Sequence, residues 1–453
     1  MIRPIRIRDL TGAMALLCAV TPTANAAVPD GAPPPLEASV ERELATAPRL
    51  ATILRVIAER NPDLREAAER ARASDAATSV AAIRPDPELK GEAWGVPLSR
   101  PAAFDQANTL MLGVRQAFPA WGTLAARERA AREDALAAAD GAETSRLEVA
   151  ARARRAFATY ARADREYRLH LEHVDLASRI IELARSLYQA GHGAQQDLLR
   201  AQAELSRLHV DLAGLGQQQR SAKALLNALM DRELQAPLGL VPDAEPAPGP
   251  GDVPGDVVER LDQRRPDLRA AARAVKRSDA LVDVARREAE LPALMVGADY
   301  WYMPTFPDHH AYGAMVSMSL PWLNPGRRLG QRAAERTRSA EQSALRARVV
   351  AARFELEDAH IKLQAARETL TLLRAGVLAD AKRSFEAAQA QLASGRGDVM
   401  PVLEAARSYL EVRIDELRAR AEVESSQADY ARAAGLPVVE LARAAEAGAG
   451  VRP

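Results

Sequence analysis

Two short stretches of this chain alternate apolar and small or polar residues, and long proline-free runs follow each of them. Across 109–118, Leu110, Leu112, Val114 and Phe118 fall on one side of an extended backbone, with Gly113 and Arg115 on the other. Across 311–320, Tyr312, Ala314, Val316 and Leu320 share a side opposite Gly313, Ser317 and Ser319. A period of two predicts strands. Each has a candidate partner upstream, 89–96 and 294–302, across loops 97–108 and 303–310. Pro119 and Pro321 end the two hairpins. A helix is expected over 50–83, restarted at Asn61-Pro62. The run 124–190 holds one glycine, and 329–394 holds only Gly330 and Gly376. At 1.5 Å per residue each run reaches roughly 100 Å, far beyond an ordinary globular helix. Return helices are expected over 197–231 and 401–434, each after a Gly-x-Gly turn where the chain can reverse.

The halves echo each other 204 residues apart. Pro62-Asp63-Leu64-Arg65 returns as Pro266-Asp267-Leu268-Arg269, and Gly191-His192-Gly193 as Gly395-Arg396-Gly397. A unit this long is a duplicated half-protein, since solenoid periods are about 20–50 residues. The expected organisation is a signal peptide 1–26, a loose leader 27–49, a first repeat 50–235, a Pro- and Gly-rich linker 236–256, a second repeat 257–437 and a tail 438–453.

Alternation alone fits a half-buried strand in a soluble sheet as readily as one between lipid and water. The aromatic residues decide it. They make up only 4% of the chain, yet all four tryptophans (Trp94, Trp121, Trp301 and Trp322) lie in or beside the hairpins, with Tyr300, Tyr302, Phe306 and Tyr312. Such rings settle at membrane headgroups. Trp94, Trp121, Trp301, Tyr302 and Trp322 are therefore expected at the membrane interface. The N-terminus agrees: Arg3, Arg6 and Arg8, a short apolar stretch 13–20, then Ala24-Asn25-Ala26 read as an export signal. Cys18, the only cysteine, lies within it, so the mature chain carries no thiol chemistry. The formal net charge is zero, which gives no footprint for nucleic acid.

These features together resemble the TolC family of outer-membrane efflux proteins. The resemblance covers about 50–437. It rests on the duplicated Pro-Asp-Leu-Arg helix start and on Phe118-Pro119-Ala120-Trp121-Gly122 with Leu320-Pro321-Trp322. It rests also on Tyr188-Gln189-Ala190-Gly191 followed by Asp197-Leu198-Leu199-Arg200-Ala201-Gln202. Asp86-Pro87-Glu88-Leu89 and Val114-Arg115-Gln116-Ala117-Phe118-Pro119 are similar to the branch that serves heavy-metal and cation pumps. The resemblance implies a mainly α protein with a small β part. It implies a homotrimer, four strands per protomer closing one outer-membrane β-barrel, continued by a periplasmic α-helical barrel. Its partners would be outer-membrane lipid, a periplasmic membrane-fusion adaptor and an inner-membrane pump.

No catalytic constellation, P-loop or Gly-x-Ser-x-Gly is present in the sequence, and no cofactor or metal is expected. His170-x-x-His173 has helix-face spacing but no clear third ligand, and reads as a solvated pair. His309-His310 lies in a hairpin loop. In the family, acidic residues after the tip turn ring the pore. Here Glu404 takes one such place, Pro401 replaces the other, and Asp398 sits three residues earlier. Asp197 and Arg200 stand at the equivalent places of the first half. Glu404, Asp398 and Asp197 are the pore-lining candidates, with helix capping the alternative for the two aspartates. Adaptor contact is expected at Gly191, Leu198, Leu199, Gly395, Val402 and Leu403, which equally suit packing of the helix pair. The function expected is a passive exit duct of a tripartite export system, with metal cations as a candidate cargo. A periplasmic coiled-coil scaffold without a barrel is the alternative.

Overall fold

The computed structural model describes residues 36–96, 99, 107–191, 194–242, 261–304, 307–394 and 397–436. The expected signal segment and tail, most of the expected linker and Gly395 lie outside the described residues. The chain divides into two compact units. One comprises Ala76–Arg132 and Lys276–Ser339 of the described chain, and the other the remainder.

The first unit holds the sheet. Its strands are β1 (Glu88–Trp94), β2 (Thr109–Phe118), β3 (Leu294–Tyr302) and β4 (His310–Met318), all antiparallel in the order β1-β2-β3-β4. The two hairpins thus join into one meander through β2 and β3. The expected ranges of β2 and β3 match. β1 starts one residue earlier and stops at Trp94, because Gly95 turns the chain with φ +73°. β4 stops short of Leu320. The Ser319 N–H donates to the Ala293 carbonyl at 2.9 Å and the Ser319 hydroxyl accepts from the Ala293 N–H at 2.8 Å, a clasp outside the ladder. After β2, Gly122 at φ +76° makes the turn into the next helix, and Arg287 donates to the Trp121 carbonyl at 3.1 Å.

The second unit is helical, several of its helices run on into the first, and the elements follow a similar order in the two halves of the chain. The first repeat has α1 (Ala38–Thr46), α2 (Leu50–Arg60), α3 (Pro62–Ala81), and then α4 (Thr123–Gln189) and α5 (Gln195–Leu229) after the first hairpin. The second has α6 (Leu261–Arg264), α7 (Pro266–Glu290), α8 (Pro325–Leu372), a π turn (Leu373–Val377), α9 (Leu378–Ala393) and α10 (Val399–Ala433). In the first repeat Leu44, Ile53, Ile57, Leu226 and Met230 are fully enclosed. They meet an alanine seam of α4, with Ala150, Ala153, Ala156 and Ala161. Small side chains let helix axes approach closely. Leu268, Leu356, Leu363 and Val423 build the counterpart core. Each enclosed leucine is worth about 1.5–3 kcal/mol over an exposed one.

The leader differs from expectation. Residues 38–46 form α1, because Val40 and Leu44, one turn apart, both enter the first core. The linker's start is also tied down: the Tyr160 hydroxyl lies 3.0 Å and 2.9 Å from the Leu238 and Gly239 carbonyls. The repeats solve one problem in two ways. Asn61 is buried before Pro62; its amide donates to the Leu229 carbonyl at 2.9 Å and its oxygen accepts from the Leu64 N–H. At the equivalent place before Pro266 stands buried Arg265. It donates to both carboxylate oxygens of Asp267, at 2.9 and 2.7 Å, and to Glu355 at 2.9 Å.

Candidate functional site

The sheet presents two unlike faces. By register, Leu89, Leu110, Leu112, Val114, Leu294, Val296, Tyr312 and Val316 share one, and most are exposed in the single chain. Glu88, Lys90, Glu92, Arg115, Asp299 and Ser317 share the other, interspersed with Met111, Met295 and Met315. An exposed apolar face this continuous calls for an apolar surrounding. Strands of nine residues span about 30 Å, enough for the apolar band of a membrane barrel.

The aromatic residues divide by parity. Tyr302 lies on the apolar face with Tyr300, Tyr312 and His310, and the His309 ring lies 6.4 Å from that of Tyr302. Tyr300 pairs across the ladder with Tyr312 at 5.5 Å between ring centres, and Tyr302 with His310 at 5.5 Å. The Tyr300 hydroxyl and His310 Nδ1 are 2.5 Å apart. This cluster was not anticipated as a unit, although Tyr300 and Tyr302 already share parity in the sequence. Trp94 and Trp301 belong to the other face. Alternation carries both to the charged face, and the Trp94 indole donates to Glu92 at 3.0 Å. Trp121 and Trp322 sit past the opposite ends of β2 and β4, both exposed.

At the helical tip, α4 turns at Gly191, whose φ of +77° suits glycine. Beyond the turns the two helix pairs pack together. Ile180, Ile181 and Ala184 of α4 and Ala201 of α5 meet Val399, Val402 and Leu403 of α10. Val402 and Leu403 are 2% and 7% exposed, so they form the tip's own core rather than an adaptor surface. Leu199, 56% exposed, and Gly191 remain open; Leu198 is half-buried. Glu404 points away from the Val402–Leu403 face and is exposed. Asp398 stands at the N-cap position of α10 but makes no side-chain capping bond. Asp197 lies in the first turn of α5, where a carboxylate favours the helix dipole.

The histidine pair is not solvated. His170 and His173 are both buried, and His170 Nδ1 donates to the Glu166 carbonyl at 3.0 Å. Among the described residues, no group of three or more His, Cys, Asp or Glu is arranged to hold a metal ion. Burial, then the nearby His170 and Arg413, pushes His173 down to about 4. An unfolded histidine protonates near 6.5. Between those values the unfolded chain binds the extra proton, so stability falls as pH drops from about 6.5 towards 4. An NMR titration of His173 is expected to show a midpoint near 4; a midpoint at the free-histidine value would mean a solvated ring.

A small two-faced antiparallel sheet with long helical hairpins is the build of an outer-membrane channel. The fold is similar to that of the outer-membrane channel OprN, with a TM-score of 0.74 at 21% identity over 88% of this chain and 93% of that one. It is similar to CusC, with 0.71 at 16% over 87% and 93%. It is similar too to the open state of the Neisseria gonorrhoeae MtrE outer-membrane channel, with 0.67 at 20% over 86% and 89%. No curated protein matches the sequence. Residues 53–231 and 257–436 match the outer membrane efflux protein family, and the chain belongs to that family. It is an outer-membrane efflux duct, a transport channel rather than an enzyme.

Proposed function

We propose that three copies of this chain close their sheets into one barrel, which acts as the passive exit of a tripartite system. A periplasmic adaptor and an inner-membrane pump supply cargo and energy. One observation carries the reading: the sheet is apolar on one exposed face and charged on the other, with β1 and β4 as its edge strands. In lipid an unpaired edge leaves backbone groups without hydrogen bonds, so the edges must find partners. Pairing β4 of one copy with β1 of the next supplies them. The helical tip is the gate. Exposed Glu404, repeated by symmetry, gives it a negative field that favours cations, metal ions among them. Asp398 and Asp197 add to that field. Leu199 and Gly191 offer the adaptor its contact. Glu404→Gln is expected to lower the cation-to-anion permeability ratio in planar bilayers. An unchanged ratio removes Glu404 from the gate, and an absence of channels in the unaltered protein removes the duct reading itself.

A further inference from the structure

Four glycines lie within the strands, and the faces treat them differently. Gly91, on the apolar face, has nothing within 4 Å of where a β-carbon would stand. Gly113, Gly297 and Gly313 lie on the charged face, and each is covered by a long side chain from a neighbouring strand. A β-carbon at Gly313 would lie 2.5 Å from two indole carbons of Trp301, and one at Gly297 would lie 3.1 Å from Arg115 Cγ. One at Gly113 would overlap the carboxylate of Asp299. Asp299 is only 8% exposed although it faces the open side of the sheet, because it lies flat across its neighbour.

Side chains normally stand roughly perpendicular to a sheet. We infer that Gly113, Gly297 and Gly313 set the bore of the exit: they are recesses into which Asp299, Arg115 and Trp301 fold down, out of the path of cargo. The inference rests on the duct reading, in which the charged face lines the lumen. The asymmetry with Gly91 supports it, since lipid chains make no demand for a cleared surface. Trp301 is the largest of the three, and its recess at Gly313 is the tightest fit to an aromatic ring. With the recess filled, the indole must stand into the lumen.

The mature chain has no cysteine, so a single introduced thiol reports cleanly. Ser317→Cys, on the same face further along β4 from the Trp301 hairpin end, can be labelled from outside intact cells with maleimide polyethylene glycols of increasing size. Adding Gly313→Val is expected to lower the largest size that reacts, and adding Trp301→Ala to that variant is expected to restore it. An unchanged size limit with Gly313→Val overturns the inference. So does a reduced limit that Trp301→Ala fails to restore, which would mean a distorted sheet rather than a raised ring. If Ser317→Cys alone is never labelled from outside, the duct reading falls and takes the inference with it.

Discussion

Val114→Arg is expected to remove the protein from the outer membrane, while Ser317→Arg is expected to leave it there. Val114 sits in the middle of β2, opposite Leu89 and Ala298, and is 51% exposed in the single chain. Its neighbours on that face, Leu112 and Val296, are apolar and exposed as well. An arginine on the lipid side of a membrane strand costs about 2–4 kcal/mol at the bilayer midplane, falling to near zero at the interfaces. A cost of that size, repeated in every copy of a barrel, is comparable with the whole stability of a small domain. Ser317 shares the opposite face with Glu88, Arg115 and Asp299, where a charge meets water. Membrane fractionation with gel mobility before and after heating measures both variants. Equal retention of the two would mean that the faces are wrongly assigned to lipid and lumen.

Arg265→Ala is expected to destabilise the helical unit by about 2–3 kcal/mol, read as a fall in the thermal transition followed by helical circular dichroism. The guanidinium is nearly enclosed, but Asp267 and Glu355 still reach solvent. The loss therefore stays below the 3–5 kcal/mol typical of breaking a pair buried on both sides. Burial works to raise the Asp267 carboxyl, yet the Arg265 hydrogen bonds and charge outweigh it and hold the carboxyl below its usual range. A depressed carboxyl contributes stability that is present above its unfolded value, near 3.9, and is lost as pH falls through the folded value. The unaltered protein should lose that increment below about pH 4, and Arg265→Ala should flatten this part of the profile. A variant as stable as the original at neutral pH would show that the fork is incidental.

Much of the fold is legible in the chain because its patterns are local. Alternation places β2 and β3, and the absence of proline places α4. What escapes depends on partners distant in sequence. Val402 and Leu403 look like tip surface until α4 brings Ile180 and Ile181 onto them. His170 and His173 look solvated on their own helix, yet both are buried, with Arg413 of α10 close enough to act on His173. α1 is hidden by its Pro- and Ala-rich surroundings, although Val40 and Leu44 carry helical spacing. The side on which Trp94 and Trp301 lie needs the ladder itself, where pairing with Thr109 and Met111 puts them on the face of Arg115. Proximity to a hairpin end was the weaker guide, because it fixes height along the strand and not the side.

The π turn at Leu373–Val377 has a counterpart in the residue counts of the two halves. From Phe118 to Gly191 the chain advances 73 residues, and from Leu320 to Gly395 it advances 75. A π turn spaces its hydrogen bonds one residue wider than an α turn, so it stores an inserted residue inside the helix without a loop. One of the two extra residues is thus absorbed midway along the second hairpin, beside the Arg374–Glu416 pair at 2.7 Å. The two halves therefore differ in length, yet this added residue needs no loop. Because the wider turn takes up the added residue, side chains past Val377 keep the faces they would have in an uninterrupted helix one residue shorter. The second hairpin thus carries an insertion without losing its phase, while α4 runs unbroken over its 67 residues.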